Sequence, residues 1–79
     1  MIIKVLGSGC KNCKKLLENV TISVKELNVK AEIEYITDMM EIASYGLLRT
    51  PGLIINEKIV SYGKVPNVEE VKVMIKEFI

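Results

Sequence analysis

The apolar residues of this chain change their spacing at Gly7-Ser8-Gly9, and that change constrains the fold more than any other feature. Before it, Ile2 to Leu6 is a short apolar run interrupted by Lys4, which reads as a strand feeding a tight turn. After it, Cys13, Leu16, Leu17, Val20, Val24 and Leu27 recur at helical spacing on one face, with Lys11, Lys15, Glu18 and Lys25 facing away. The β-branched run Val20-Thr21-Ile22 weighs mildly against a helix, but the apolar stripe outweighs it. Asn28 suits the left-handed residue that ends such a helix.

The remaining elements follow from period and punctuation. Ala31 to Ile36 alternates and reads as a half-buried strand. Asp38-Met39-Met40-Glu41 has the form of a capping box and Gly46 that of a stop, so a helix of about two turns fits between them. Met39 and Met40 read as core filler. Leu53 to Ile55 and Lys58 to Tyr62 read as strands joined by a tight turn at Asn56-Glu57. Asn67 can cap a last helix, with Glu70 three residues on and Val68, Val71, Met74, Ile75 and Phe78 at helical spacing. The order is β-α-β-α-β-β-α. A strand–helix–strand unit makes the first pair parallel, and the closing hairpin makes the sheet mixed.

Both cysteines of the chain, Cys10 and Cys13, lie at the head of the first helical run, and there is no histidine. Their i, i+3 spacing puts two sulfurs at one helix end, where free N–H groups and the macrodipole favour a thiolate. The 79 residues make one small domain, which buries only about 60–65% of its unfolded surface. A net charge of +1 argues against a nucleic-acid partner held by a basic face. No apolar run approaches the roughly 18 residues of a membrane span, and Met1 to Leu6 lacks the form of a signal peptide. These features lead us to expect a cytoplasmic, monomeric protein. In that compartment a lone Cys-x-x-Cys points to redox or metal chemistry rather than a structural bridge.

Gly-Ser-Gly-Cys-Lys-Asn-Cys after a first strand, Thr50-Pro51-Gly52-Leu53 entering the third, and Gly63-Lys64-Val65-Pro66 after the fourth resemble the thioredoxin-like superfamily. Within it they are similar to small archaeal and bacterial redox-active disulfide proteins. The resemblance covers essentially all of residues 1–79. It implies a thioredoxin-like α/β fold, a four-stranded sheet in the order 2-1-3-4, and the first and last helices on one face with the short helix on the other. It also implies a thiol–disulfide oxidoreductase, or small redox carrier, with Cys10 and Cys13 as catalytic residues and neither metal nor organic cofactor. Its partners would be disulfide-containing proteins and a disulfide reductase as electron donor. Pro51 would be cis beside the sulfurs, with Thr50, Pro51 and Gly52 receiving the substrate by strand pairing. Cys10, at the helix tip, is the expected nucleophile, and Cys13, on the apolar stripe, the resolving thiol. Lys11 and Lys14, with Lys15, either lower the thiol pKa or form a solvated helix face.

Three departures from thioredoxin itself bear on rate and potential. Gly9 stands where thioredoxin has tryptophan, and Lys11-Asn12 where it has Gly-Pro. Lys4 stands where it has a buried aspartate that helps move the resolving thiol's proton. Two thiolates without histidine also suit Cu(I), so a soft-metal carrier is the rival reading. A capped final helix and the Thr50-Pro51 pair count against it. Pro51 could also simply begin a strand. Tyr35, Tyr45 and Tyr62 carry no assignable chemistry at this level.

Overall fold

The computed structural model describes residues 1–47 and 49–79. The sheet is organised around β1 (Ile2–Leu6), where alternation puts Ile3 and Val5 on one face and Lys4 and Leu6 on the other. β2 (Glu32–Ile36) runs parallel to it, in register from Ile2 opposite Glu32 to Leu6 opposite Ile36. β3 (Gly52–Ile55) lies antiparallel on the other side, with Leu6 opposite Gly52. β4 (Lys58–Tyr62) closes a hairpin whose register slips between Leu53 and Ile54. The order is β2-β1-β3-β4, as the resemblance implies.

Local chemistry accounts for the joints. Asn56 and Glu57 have φ of 49° and 70°, the paired positive values of a hairpin turn whose twist matches its strands. Helix α1 (Lys11–Leu27) ends at Asn28, left-handed at φ 53°, whose N–H returns to Lys25 and Val24. Thr21 satisfies its hydroxyl inside α1 by donating it to the Leu17 carbonyl at 2.8 Å. Helix α3 (Val68–Lys76) begins at a complete capping box between Asn67 and Glu70.

α1 and α3 share one face. Leu16, Val20, Val71 and Ile75 are fully buried there against Ile3, Val5, Leu53 and Ile55. Burial of each such side chain contributes about 1.5–3 kcal/mol before entropy is counted. The six-residue helix α2 (Met39–Ser44) covers part of the opposite face, where Ile42 joins Leu6, Ile36 and Ile54.

Two local expectations change, and one feature was not anticipated. Met39 and Met40 are 59% and 83% exposed rather than core, because α2 has room for only one inward residue, Ile42. Asp38 occupies the N-cap of α2 but its side chain caps nothing. Asn19 and Ser23 of α1 are buried polar residues on the stripe. Asn19 donates to the Pro66 carbonyl at 2.9 Å, and the Ser23 hydroxyl lies 2.7 Å from the Asn19 carbonyl and 3.1 Å from that of Val68. They bind α1 to the start of α3. Asn19 lies three residues after Leu16 and Ser23 three after Val20, which was the available signal, but a purely apolar reading passes over it.

Candidate active site

The site is built at the junction where the period changes. Cys10 is the N-cap of α1, in an extended conformation at φ −69° and ψ 170°. Its sulfur occupies the position usually held by a Ser or Asp oxygen and accepts the Cys13 N–H at 3.3 Å. Its carbonyl accepts the Lys14 N–H at 3.0 Å, closing the first helical turn. Cys10 is exposed, whereas Cys13, one turn inside, is wholly buried.

That asymmetry sets opposite electrostatics. The Cys13 thiol, hydrogen-bonded to the Cys10 sulfur, lowers the Cys10 pKa, and the N–H of Cys13 adds to the effect. Burial raises the Cys13 pKa, and the hydrogen bond to Cys10 pushes the same way. One sulfur is therefore prepared to be a thiolate in water and its neighbour to remain a thiol. Lys11 and Lys14 are both exposed on the outer surface of α1, and the groups that lead in lowering the Cys10 pKa are the other thiol and helix-start amides.

Two glycines make the close approach possible. A Cβ at Gly7 would collide with Cys13 Sγ, so only glycine lets the buried sulfur lie against the end of β1. Gly9 has φ +88°, and a Cβ there would stand 4.0 Å from the Tyr35 hydroxyl.

The Thr50–Pro51 peptide bond is cis. Gly52 pairs with Leu6, so Pro51 lies beside the strand end that leads through Gly7 to the cysteines. Pro51 and Gly52 are buried and Thr50 is exposed, and the Pro51 carbonyl accepts the Gly63 N–H at 2.9 Å. Leu47, Arg49, Thr50 and the exposed Met39 border a shallow groove next to it.

Lys4 does not look into this site. Its ammonium lies on the α2 face, 2.7 Å from the Tyr45 hydroxyl and 3.1 Å from a Glu57 carboxylate oxygen. The Tyr45 bond and then the Glu57 bond hold its pKa well above the ordinary lysine value. Among the described residues no three of His, Cys, Asp and Glu gather where they could hold a metal ion. Among those residues, too, no helix is long and apolar enough to cross a membrane.

A family model for the thioredoxin domain matches residues 1–76. The chain belongs to the thioredoxin family. It is 40% identical over 79 residues to a thioredoxin of Methanocaldococcus jannaschii, covering 100% of this chain and 91% of that one. It is 40% identical over 72 residues to a thioredoxin of Methanothermobacter thermautotrophicus, covering 91% of this chain and 94% of that one. The copper-carrier reading gains no support from these relatives. Within the thioredoxin family, this chain differs from the Trp-Cys-Gly-Pro-Cys form at both ends of its first cysteine, at Gly9 and at Lys11-Asn12.

Proposed function

We propose that this protein is a thiol–disulfide oxidoreductase that reduces disulfides of other proteins through a Cys10–Cys13 couple. The observation that carries the reading is the paired electrostatics of the two sulfurs. Cys10 is exposed with a lowered pKa, and Cys13 is buried with a raised one. The thioredoxin relatives support the same reaction class.

The Cys10 thiolate attacks one sulfur of a substrate disulfide, forms a mixed disulfide and expels the other substrate sulfur as a thiolate. Cys13 then loses its proton and attacks Cys10 Sγ. That step releases the second substrate thiolate and leaves a Cys10–Cys13 disulfide. Two electrons pass to the substrate, and a disulfide reductase returns two to the protein. Both electrons reside on sulfur, so the cycle needs neither metal nor organic cofactor. Thr50, Pro51 and Gly52 line the place where an extended substrate segment can add its backbone beside the sulfurs. Pro51 has no N–H to protonate or bind them. Lys11 and Lys14 add positive charge at the mouth, where salt screens it. We assign the protein to the cytoplasm, as a monomer.

Reduction of a protein disulfide by the Cys10→Ser and Cys13→Ser variants tests this. Cys10→Ser should lose turnover entirely, and Cys13→Ser should accumulate a mixed disulfide that thiol reagents release. Undiminished turnover by Cys10→Ser would remove the assignment.

A further inference from the structure

A buried thiol that must ionise needs help, and no acid stands behind this one. Lys4 occupies the relevant position in β1 but points to the other face. Among the described residues two buried side-chain atoms lack a partner, the hydroxyls of Tyr35 and Ser61, and of the two it is Tyr35 that reaches the residue before Cys10. A buried hydroxyl left in that state costs free energy, so its retention asks for a use.

Its location supplies one. Tyr35 pairs with Val5 in the parallel register and packs with the α1-side core, one residue before the Ile36 carbonyl that accepts the Gly7 N–H at 3.0 Å. Its hydroxyl reaches the active-site turn. The hydroxyl would stand 4.0 Å from a Cβ at Gly9, the residue before Cys10. Gly7, one strand over, is the residue on which Cys13 Sγ rests. The tyrosine pKa is raised, first by burial and then by the charges of Cys13 and Cys10. A phenol in that state keeps its proton and is a donor rather than a base.

We propose that Tyr35 is a catalytic residue of the resolving step, its hydroxyl donating a hydrogen bond to the Cys13 thiolate as that charge forms near Gly9. The proposal rests on the oxidoreductase reading above. The Cys13 proton leaves to water through the exposed Cys10 side as the mixed disulfide forms. Tyr35 keeps its own proton and shares it with the sulfur. When Cys13 attacks Cys10 Sγ the negative charge moves to the departing substrate sulfur, and the hydroxyl loses its partner again. The hydroxyl would therefore act only on the state in which charge sits on Cys13, which is how a donor accelerates a step without tightening the ground state. The other ionisable groups nearby do not compete for this role. Lys4 and Glu34 alternate onto the opposite face, and Lys11 and Lys14 of α1 are exposed to water.

The test is Tyr35→Phe, which removes one atom. In single-turnover reactions with a small aromatic disulfide, resolution of the mixed disulfide should slow about tenfold near neutral pH, the scale of a hydrogen bond to a charged group. The pH at which resolution reaches half its maximum should rise. In a Cys10→Ala background, ultraviolet titration of the Cys13 thiolate should move to higher pH with Tyr35→Phe, and this needs no turnover. A wild-type protein that forms no mixed disulfide would defeat the oxidoreductase reading. An unchanged Cys13 titration would defeat the Tyr35 proposal alone, and so would slowing by one factor at every pH. If Tyr35→Phe does not fold, ring-fluorinated tyrosine, a stronger donor, tests the same bond. Cys13 should then ionise at lower pH, and no movement would overturn the assignment.

Discussion

The two faces of the sheet are built differently. One is covered by α1 and α3, which between them bury Leu16, Val20, Val71 and Ile75 completely and anchor to each other through Asn19 and Ser23. An ion pair between Lys72 and Glu26 ties the same two helices at the surface. Among the described residues the other face has one six-residue helix and a cluster of four buried residues. Ile59 and Tyr62 of β4 remain 44% and 53% exposed, and Lys4 is accommodated there by Tyr45 and Glu57. The difference teaches a division of labour. The two-helix face holds the larger buried core, and Cys13 is fully buried. The one-helix face leaves apolar side chains beside the cis proline in contact with water.

Substitutions on opposite faces separate these roles. Leu16→Ala should cost about 3–5 kcal/mol in urea unfolding, since its site is sealed between sheet and α3 and cannot collapse. Ile42→Ala should cost less, about 2 kcal/mol, because the exposed residues around α2 can close over the space. Equal losses would break the comparison.

The next effect lies at the border of the two-helix face. Iodoacetamide should modify Cys10 at least about tenfold faster than Cys13 near neutral pH. Cys10 has the depressed pKa, so its reactivity persists as pH falls below the usual thiol value of about 8.5 and is lost only lower down. The raised pKa of Cys13 means that its reactivity appears only above that value. Matching pH profiles would show that burial and the helix start do not distinguish the sulfurs.

Smaller changes sharpen the picture. Asn67→Ala should cost about 1 kcal/mol by opening the capping box of α3, seen as a lower thermal midpoint. Met40→Lys should lie within about 0.5 kcal/mol of the parent, since that side chain is 83% exposed. A large loss there would mean that α2 packs more tightly than its burial indicates.

Much of this was legible beforehand. The seven elements, the left-handed Asn28, the positive-φ turn at Asn56-Glu57 and the cap at Asn67 follow from local rules, because each depends on neighbours a few residues away. The cysteines' place at a helix head was equally visible. Met39, Met40 and Asp38 misled because their pattern is satisfied by any amphipathic helix, whereas α2 is too short to bury more than Ile42.

The chain by itself determined which residues alternate, where the helices start and stop, and that two thiols share one helix end, since these are properties of spacing and of single φ values. Tertiary packing decided the rest. Strand alternation divides residues between two faces but does not say which face receives two helices. Lys4 therefore turned out to serve Tyr45 and Glu57 instead of the thiol, and Tyr35, mute in sequence, came to lie unbonded near Gly9. Burial separated Cys10 from Cys13 in the same way. A sulfur's pKa depends on the water and charges around it, and those are present only once β1, β2 and α1 have met.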